Sequence, residues 1–533
     1  MEKVADFKST KRQRHGMKLR LTSSREEKSV PDSSLKSLGL IPAAEQAPVD
    51  PNSATSKVSR NPLILDIIFA KLNLPDLKTS RLVCHEWDDV GVTLLGKRAY
   101  LQVTQIFSYR TKLGIQMTPV NEKLFGRLLI TDTFDPSVPT NKKADVITKM
   151  FTDVDKVSRL THEIKFAVSV KRFLAAFLEG IRTLKSPRIQ TIGIFIPHQR
   201  SCATNIPAQA YQKLPPQPNL TSLKFNVLAN LDINPIEFIR FWTDSAPNLT
   251  TLDVAEDESY SLNLEGCKNL KVLKYKYIGP GYRSFYRPTL DLAIVTKMLA
   301  QVKDSLIELT LSVDDSDFME QIQPAEVPVM STLTTLSIPD IDVYPIRNFF
   351  NEDHFPKLET LSVNNGKWQT SLASHFLWRP HKGVKSLALT FDLLAWGQEK
   401  FEEKMIHLFP SVKKFDLTME LRNGVPNADF NRILEQFQAW GLERTNVLVT
   451  FVDESSLLIG TIRNVAAWKG VKRVRFEDVC INEETFFPLS EDLISLSRGF
   501  ERVEIFGDEV PEIEERIRPM LEASGAQIHF YGR

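Results

Sequence analysis

Four cysteines and nine histidines are the residues of this chain best suited to hold a metal or attack a substrate. Cys84, Cys202, Cys267 and Cys480 are all more than 60 residues apart, so no C-x-x-C exists for a zinc ribbon or a thioredoxin-type redox pair. The nearest histidines in a shared segment are His375 and His381, and His85-Glu86 lacks the second histidine of H-E-x-x-H. Phosphate-loop, nucleophile-elbow and dinucleotide-binding glycine motifs are likewise missing. Cys84 sits among apolar neighbours, where a thiol packs as a small hydrophobe. These residues point to a protein that binds rather than one that breaks bonds. The expectation is no enzyme activity, no catalytic residue, no metal and no cofactor.

Charge and aromatic residues suggest what is bound. Lys and Arg total 67 against 66 Asp and Glu, so no global field attracts nucleic acid or an anionic membrane. One local excess surrounds Lys11, Arg12, Arg14, Lys18 and Arg20. It reads either as an import or anion-binding signal or as a solvated leader. A second cluster runs through Tyr275, Tyr277, Tyr282, Arg283, Phe285, Tyr286 and Arg287 and reads as a loop. Aromatics beside arginine favour interface hot spots, so this loop is a candidate target-binding surface.

The chain has 533 residues, 42% of them hydrophobic and 25% charged, enough to bury a sizeable core. Residues 1–60 are rich in Ser, Pro, Lys and Arg without an apolar period and read as a disordered tail. The first residues lack the apolar run of a signal peptide, and nothing approaches a membrane-spanning length. Few cysteines fit a reducing compartment. The expected location is cytoplasmic and/or nuclear, with the sequons at Asn219 and Asn248 unglycosylated.

Beyond residue 120 one motif recurs: apolar, two mixed residues, apolar, one more, apolar. It appears as Ile189-x-x-Ile192-x-Ile194, Leu220-x-x-Leu223-x-Phe225, Leu249-x-x-Leu252-x-Val254, Leu270-x-x-Leu273-x-Tyr275 and Leu306-x-x-Leu309-x-Leu311. It continues through Leu333-x-x-Leu336-x-Ile338, Leu358-x-x-Leu361-x-Val363, Val384-x-x-Leu387-x-Leu389, Val412-x-x-Phe415-x-Leu417 and Val471-x-x-Val474-x-Phe476 to Phe500-x-x-Val503-x-Ile505, with most starts 21 to 36 residues apart. Helical periods lie between, the clearest being Val170, Phe173, Leu174, Phe177, Leu178, Ile181 and Leu184. Phe401, Met405 and Leu408 form another, and Phe430, Ile433, Leu434 and Phe437 a third. Prolines in Ala246-Pro247-Asn248-Leu249, Phe355-Pro356-Lys357-Leu358 and Phe409-Pro410-Ser411-Val412 stop a helix before a strand. One strand and one helix cannot bury their own apolar face, but stacked copies can, and that predicts a solenoid. The pattern resembles leucine-rich repeats, without the asparagine those repeats place after the strand. A terminal helix through Ile513, Ile517 and Leu521 is expected to cover the last repeat, although Pro519 interrupts it.

Residues 61–104 form a separate helical domain. Asn61 and Pro62 start a helix whose Leu65, Ile68, Phe69 and Leu72 share an apolar stripe. A second helix begins at Asp76, and Trp87 lies near the start of a third. The string Pro62, Leu65-x-x-Ile68-Phe69-x-x-Leu72, Asp76-Leu77, Arg81-x-Val83-Cys84-x-x-Trp87 resembles an F-box. It is one residue shorter after the proline than the family and lacks the acid found there. The resemblance implies an α/β chain: a small all-helical F-box followed by an irregular repeat solenoid over 105–533, with a parallel sheet on one side and helices on the other. It further implies docking on a Skp-type adaptor, and through it a cullin, via Pro62, Leu63, Leu65, Ile68, Phe69, Leu72, Leu77, Val83 and Trp87. The solenoid would then hold an unidentified protein substrate for ubiquitination, with no nucleic-acid or membrane partner. A repeat scaffold without any ligase is the alternative.

Overall fold

In Leu220-x-x-Leu223-x-Phe225 the strand period of two sends Leu223 and Phe225 to one side and Lys224 and Asn226 to the other. Repetition of that rule builds the fold. A computed structural model describes residues 60–153, 159–167, 170–184, 188–196, 213–227, 235–256, 262–278, 292–313, 328–339, 351–365, 379–392, 401–420, 434–450, 452, 455–468, 470–480, 483–507 and 510–532. The chain divides after Asn61, and Pro62–Arg533 is one unit. The basic tail lies outside the described residues.

From the N-terminal side the elements are α1 (Pro62–Phe69), α2 (Leu74–Ser80), α3 (His85–Arg98), β1 (Leu101–Gln102), β2 (Phe107–Arg110), β3 (Gly114–Met117) and β4 (Arg127–Thr131). Then come α4 (Lys143–Asp153), β5 (Glu163–Ala167), α5 (Lys171–Thr183), β6 (Thr191–Ile196), β7 (Ser222–Val227), α6 (Pro235–Thr243), β8 (Thr251–Glu256), β9 (Val272–Tyr277), α7 (Leu292–Ala300) and β10 (Glu308–Val313). The remainder is β11 (Thr335–Pro339), β12 (Thr360–Asn365), β13 (Ser386–Asp392), α8 (Phe401–Leu408), β14 (Lys414–Glu420), β15 (Arg444–Thr450), α9 (Ser455–Ala466), β16 (Val471–Glu477), α10 (Glu483–Phe486), α11 (Ser490–Ser497), β17 (Arg502–Phe506), α12 (Val510–Ser524) and β18 (Ile528–Tyr531).

Among the described residues sixteen strands form one sheet in the order β1-β4-β5 and onward to β18, every neighbour parallel. Strands β2 and β3 form a separate antiparallel hairpin. The register aligns Leu223, Leu252, Leu273, Leu309, Leu336 and Leu361 into one buried column. The first motif positions, among them Leu220, Leu249, Leu306 and Leu333, are buried beside it, and Phe173, Phe177 and Trp242 of the helices join the same core. This is an α/β, solenoid-like stack, as the repeat spacing predicts.

Several details differ from the sequence-based expectation. The sheet starts earlier than Ile189: Phe125-x-x-Leu128-x-Ile130 supplies β4, and β5 carries Ile164 and Phe166. At β5 the leading apolar residue is replaced by Thr161, whose hydroxyl donates to the Phe125 carbonyl at 2.8 Å. Helix α12 runs through Pro519, which lies on its exposed side, where the carbonyl freed by the missing N–H can meet water. That helix does not end the stack, because β18 follows it and pairs with β17. Phe430 and Ile433 lie outside the described residues, while Leu434 and Phe437 are buried. A short asparagine ladder does exist, but before the strand: Asn248 Nδ2 donates to the Pro218 carbonyl at 2.8 Å and Asn269 Nδ2 to the Pro247 carbonyl at 3.4 Å. These bonds engage the Asn248 amide in tying adjacent repeats together.

Candidate functional site

Helix α1 is apolar on two sides. Leu65 and Phe69, one turn apart, are buried with Leu77, Leu94 and Leu95. Trp87 packs edge-on to Phe69 with ring centroids 5.1 Å apart, and Leu72 closes the same small core. The opposite side carries Leu63 and Ile67, again one turn apart, and then Ile68. These are 75%, 67% and 49% exposed. Leu82 and Val83, in the turn between α2 and α3, are 85% and 63% exposed.

Local chemistry fixes this arrangement. Pro62 opens α1, where its missing N–H costs nothing. Asn73 caps α2 by accepting from the Asp76 N–H at 2.8 Å. Arg81 Nε donates to Asp88 Oδ1 at 2.8 Å, and its aliphatic stem lies where a side chain on Gly91 would sit. Arg81 thereby pins the turn that presents Leu82 and Val83.

The nine residues assigned to adaptor binding thus fall into two groups. Leu65, Phe69 and Leu77 are core, with Leu72 and Trp87 partly buried against them. Pro62, Leu63, Ile68 and Val83 are at the surface. Two surface residues went unassigned, Ile67 and Leu82. The spacing of Ile67 from Leu63 and the adjacency of Leu82 to Val83 were the available signals.

A tight joint connects the helices to the sheet. A side chain on Gly96 of α3 would come within 1.8 Å of the Lys123 carbonyl, and one on Gly126 within 2.7 Å of the Gly96 carbonyl. Lys123 Nζ pairs with Asp89 at 2.5 Å. Arg127 of β4 donates from Nη1 to the Arg98 carbonyl at 3.0 Å, from Nη2 to Tyr100 Oη at 2.8 Å and from Nε to Glu163 Oε2 at 2.7 Å. Tyr100 in turn donates to Glu163 Oε1. Burial pushes the Glu163 carboxyl up, but the Arg127 and Tyr100 hydrogen bonds outweigh it and hold it below the ordinary carboxylate range. Burial and the Glu163 hydrogen bond together raise the Tyr100 phenol.

The proposed target-binding loop is corrected at its start. Tyr275 and Tyr277 lie on β9, face inward and are 1% exposed, because Leu273-x-Tyr275-x-Tyr277 continues the strand alternation. They are core residues. Tyr282, Arg283, Phe285, Tyr286 and Arg287 lie outside the described residues.

Among the described residues no three His, Cys, Asp or Glu side chains converge as a metal site. Burial pushes the Cys267 thiol up to about 11, far from a reactive thiolate. Cys84 is half-buried, and Cys202 lies outside the described residues. His381 is buried, with a ring nitrogen 3.1 Å from the Phe355 carbonyl. No described helix is long and apolar enough to cross a membrane. No protein-family model matches the chain, and no curated protein matches it either.

Proposed function

We propose that the protein is a substrate-recognition subunit of a Skp–cullin–F-box ubiquitin ligase. Helices α1 to α3 act as the F-box and dock on a Skp-type adaptor, which links them to a cullin. The stack of strands and helices acts as an irregular leucine-rich-repeat array that holds the target protein. The chain performs no bond chemistry. It raises the effective concentration of a target lysine near the conjugating enzyme. Its place of action is the cytoplasm and/or the nucleus.

One observation carries this reading. The helical unit already has a complete core of its own, yet Leu63, Ile67, Ile68, Leu82 and Val83 remain exposed. A helix apolar on two sides, only one of them covered, leaves a bare apolar ridge that marks an interaction surface. Covering these five side chains would contribute roughly 5–10 kcal/mol before association costs, at about 1.5–3 kcal/mol per side chain scaled by exposure. The F-box-like string of residues says what kind of partner covers them.

The test is co-purification with a Skp-type adaptor. Substitutions at Leu65 or Phe69 would damage the unit's own core, so the informative variant is Leu63→Asp with Ile67→Asp. Wild type should retain the adaptor and the double variant should lose it while helices α1 to α3 keep their protection from hydrogen exchange. Full retention by a folded double variant would leave a repeat scaffold without a ligase.

A further inference from the structure

At the C-terminal end of the sheet, Arg473 of β16 and Arg502 of β17 are directly opposite each other in the ladder. They lie on the face turned away from the buried columns, since Val474 and Val503 beside them are buried. Like charges opposed across strands are destabilising. One carboxylate holds both. Glu504, only 2% exposed, accepts from Arg473 Nε at 2.9 Å and also from its Nη2. Its other oxygen lies 2.9 Å from Arg502 Nε. Arg502 Nη2 donates to Tyr531 Oη at 2.5 Å.

Ring stacking stiffens the arrangement. The Tyr531 ring lies on Phe506 at 4.4 Å between centroids, and the Arg475 guanidinium sits over Phe506 at 4.3 Å. Arg475 pairs with Glu477 at 2.6 Å. On the next strand Arg444 faces the same side and has no carboxylate partner among the described residues. On β15, β16 and β17 four guanidiniums therefore share a face with the two carboxylates Glu477 and Glu504, while Asp416 of the adjoining β14 accepts from Asn446 Nδ2 at 2.6 Å. A guanidinium offers five N–H donors, and Glu504 and Tyr531 occupy only part of those on Arg473 and Arg502. Their side chains remain 46% and 44% exposed.

We propose that Arg444, Arg473 and Arg502 form a receptor for the anionic groups of an acidic peptide, carboxylate or phosphate, lying across the C-terminal strands. The buried Glu504 and the Tyr531 hydroxyl fix the Arg473 and Arg502 forks before the ligand arrives, so little rotamer entropy is lost there on binding. Fixed forks recognise oxyanions through paired N–H donors, which a lysine cannot reproduce. This surface is remote in sequence from the helical unit and does not depend on what α1 binds.

The test uses the full chain and fluorescence anisotropy with three labelled peptides of the same length: glycine alternating with glutamate, with phosphoserine, or with glutamine. At least one anionic peptide should bind and the glutamine peptide should not; which anionic peptide binds identifies the group. Arg473→Lys with Arg502→Lys keeps the charge and loses the forks, and should weaken binding about tenfold or more. Lys472→Gln removes a nearby cation already paired with Glu501 at 2.5 Å and should leave binding unchanged. If the double variant unfolds β17, Arg444→Gln takes its place and must weaken binding as well. Three results would overturn the proposal: neither anionic peptide binds, the lysine variant binds as tightly as wild type, or Lys472→Gln weakens binding as much as the arginine changes. Binding of a single-stranded oligonucleotide in place of both peptides would also overturn it.

Discussion

Leu63 and Leu65 are two residues apart on one helix and should respond oppositely to the same substitution. Leu65 is 1% exposed and packs with Phe69, Leu77, Leu94 and Leu95. Leu65→Ala removes buried methyl groups from a core of few residues and should cost about 2–5 kcal/mol of local stability. Leu63 is 75% exposed, so Leu63→Ala should fall within about 0.5 kcal/mol of wild type. Whole-chain unfolding is a poor readout, because a stack of repeats need not unfold in one step. Hydrogen exchange of the α3 amides reads the helical unit alone. There, Leu65→Ala should lower protection by about 30-fold or more, since each ~1.4 kcal/mol is tenfold, and Leu63→Ala by less than about threefold. Adaptor binding should rank differently, with Leu63→Ala weakening it while α3 stays protected. Equal loss of protection in both variants would refute the division of α1 into a core side and an exposed side.

Other outcomes follow from single contacts. Gly96→Ala places a methyl group against the Lys123 carbonyl and should destabilise the joint by about 1–3 kcal/mol, seen as lost protection of residues 122–126. Glu163 has a folded pKa below its unfolded one, so the stability it adds is present above the ordinary carboxylate range and fades as the pH falls through the folded value. Protection around β4 should therefore drop more steeply between neutral and acid pH in wild type than in Glu163→Gln. Burial lowers the pKa of His381 against opposing effects of the Phe355 carbonyl and the Glu352 carboxylate. A histidine buried neutral loses stability as the pH falls below its unfolded value near 6.5, and His381→Leu should flatten that dependence in the hydrogen-exchange protection of β13. Tyr275→Ala should cost about 3–5 kcal/mol as a core truncation, measured as lost hydrogen-exchange protection of the β9 amides.

The repeat stack was legible because its signal is redundant. Each copy of the motif places three apolar residues at strand spacing, and the parallel register turns those positions into columns. Where one position departs, as Thr161 does before β5, a hydrogen bond to the Phe125 carbonyl does the work of apolar packing and the pattern breaks down. Tyr275 reads both as the third apolar position of Leu270-x-x-Leu273-x-Tyr275 and, with Tyr277, as part of an aromatic cluster at an interface; burial supports the first reading. Their period of two, continuing from Leu273, pointed inward all along. For the helical unit, the apolar residues could be read from the sequence but not the side of α1 each one occupies, and Ile67 and Leu82 were passed over. Only the packing of α1 against α3 separates Leu65 from Leu63. The arginine cluster was out of reach altogether, since the opposition of Arg473 and Arg502 depends on a register between strands that no local pattern encodes.

The joint at Arg127 bears on how the proposed function would work. Effective concentration is highest when a connector spans the required distance and falls as its freedom grows. A flexible linker between α3 and the sheet would let the target wander. Instead, Arg98 at the end of α3 gives its carbonyl to Arg127 of β4, and Tyr100 and Glu163 hold the same guanidinium on two further sides. The Arg127 guanidinium also lies over the Tyr100 ring at 4.1 Å. No side chain fits between Gly96 and the Lys123 carbonyl, so the backbones meet directly. A partly buried, charge-assisted network of this kind resists bending far better than an exposed ion pair. A target held on the sheet is then held at a set orientation to whatever covers Leu63 and Ile67. Loosening the joint should therefore lower the rate of target modification while leaving both adaptor binding and target binding intact, a separation that a purely structural role for Arg127 would not produce.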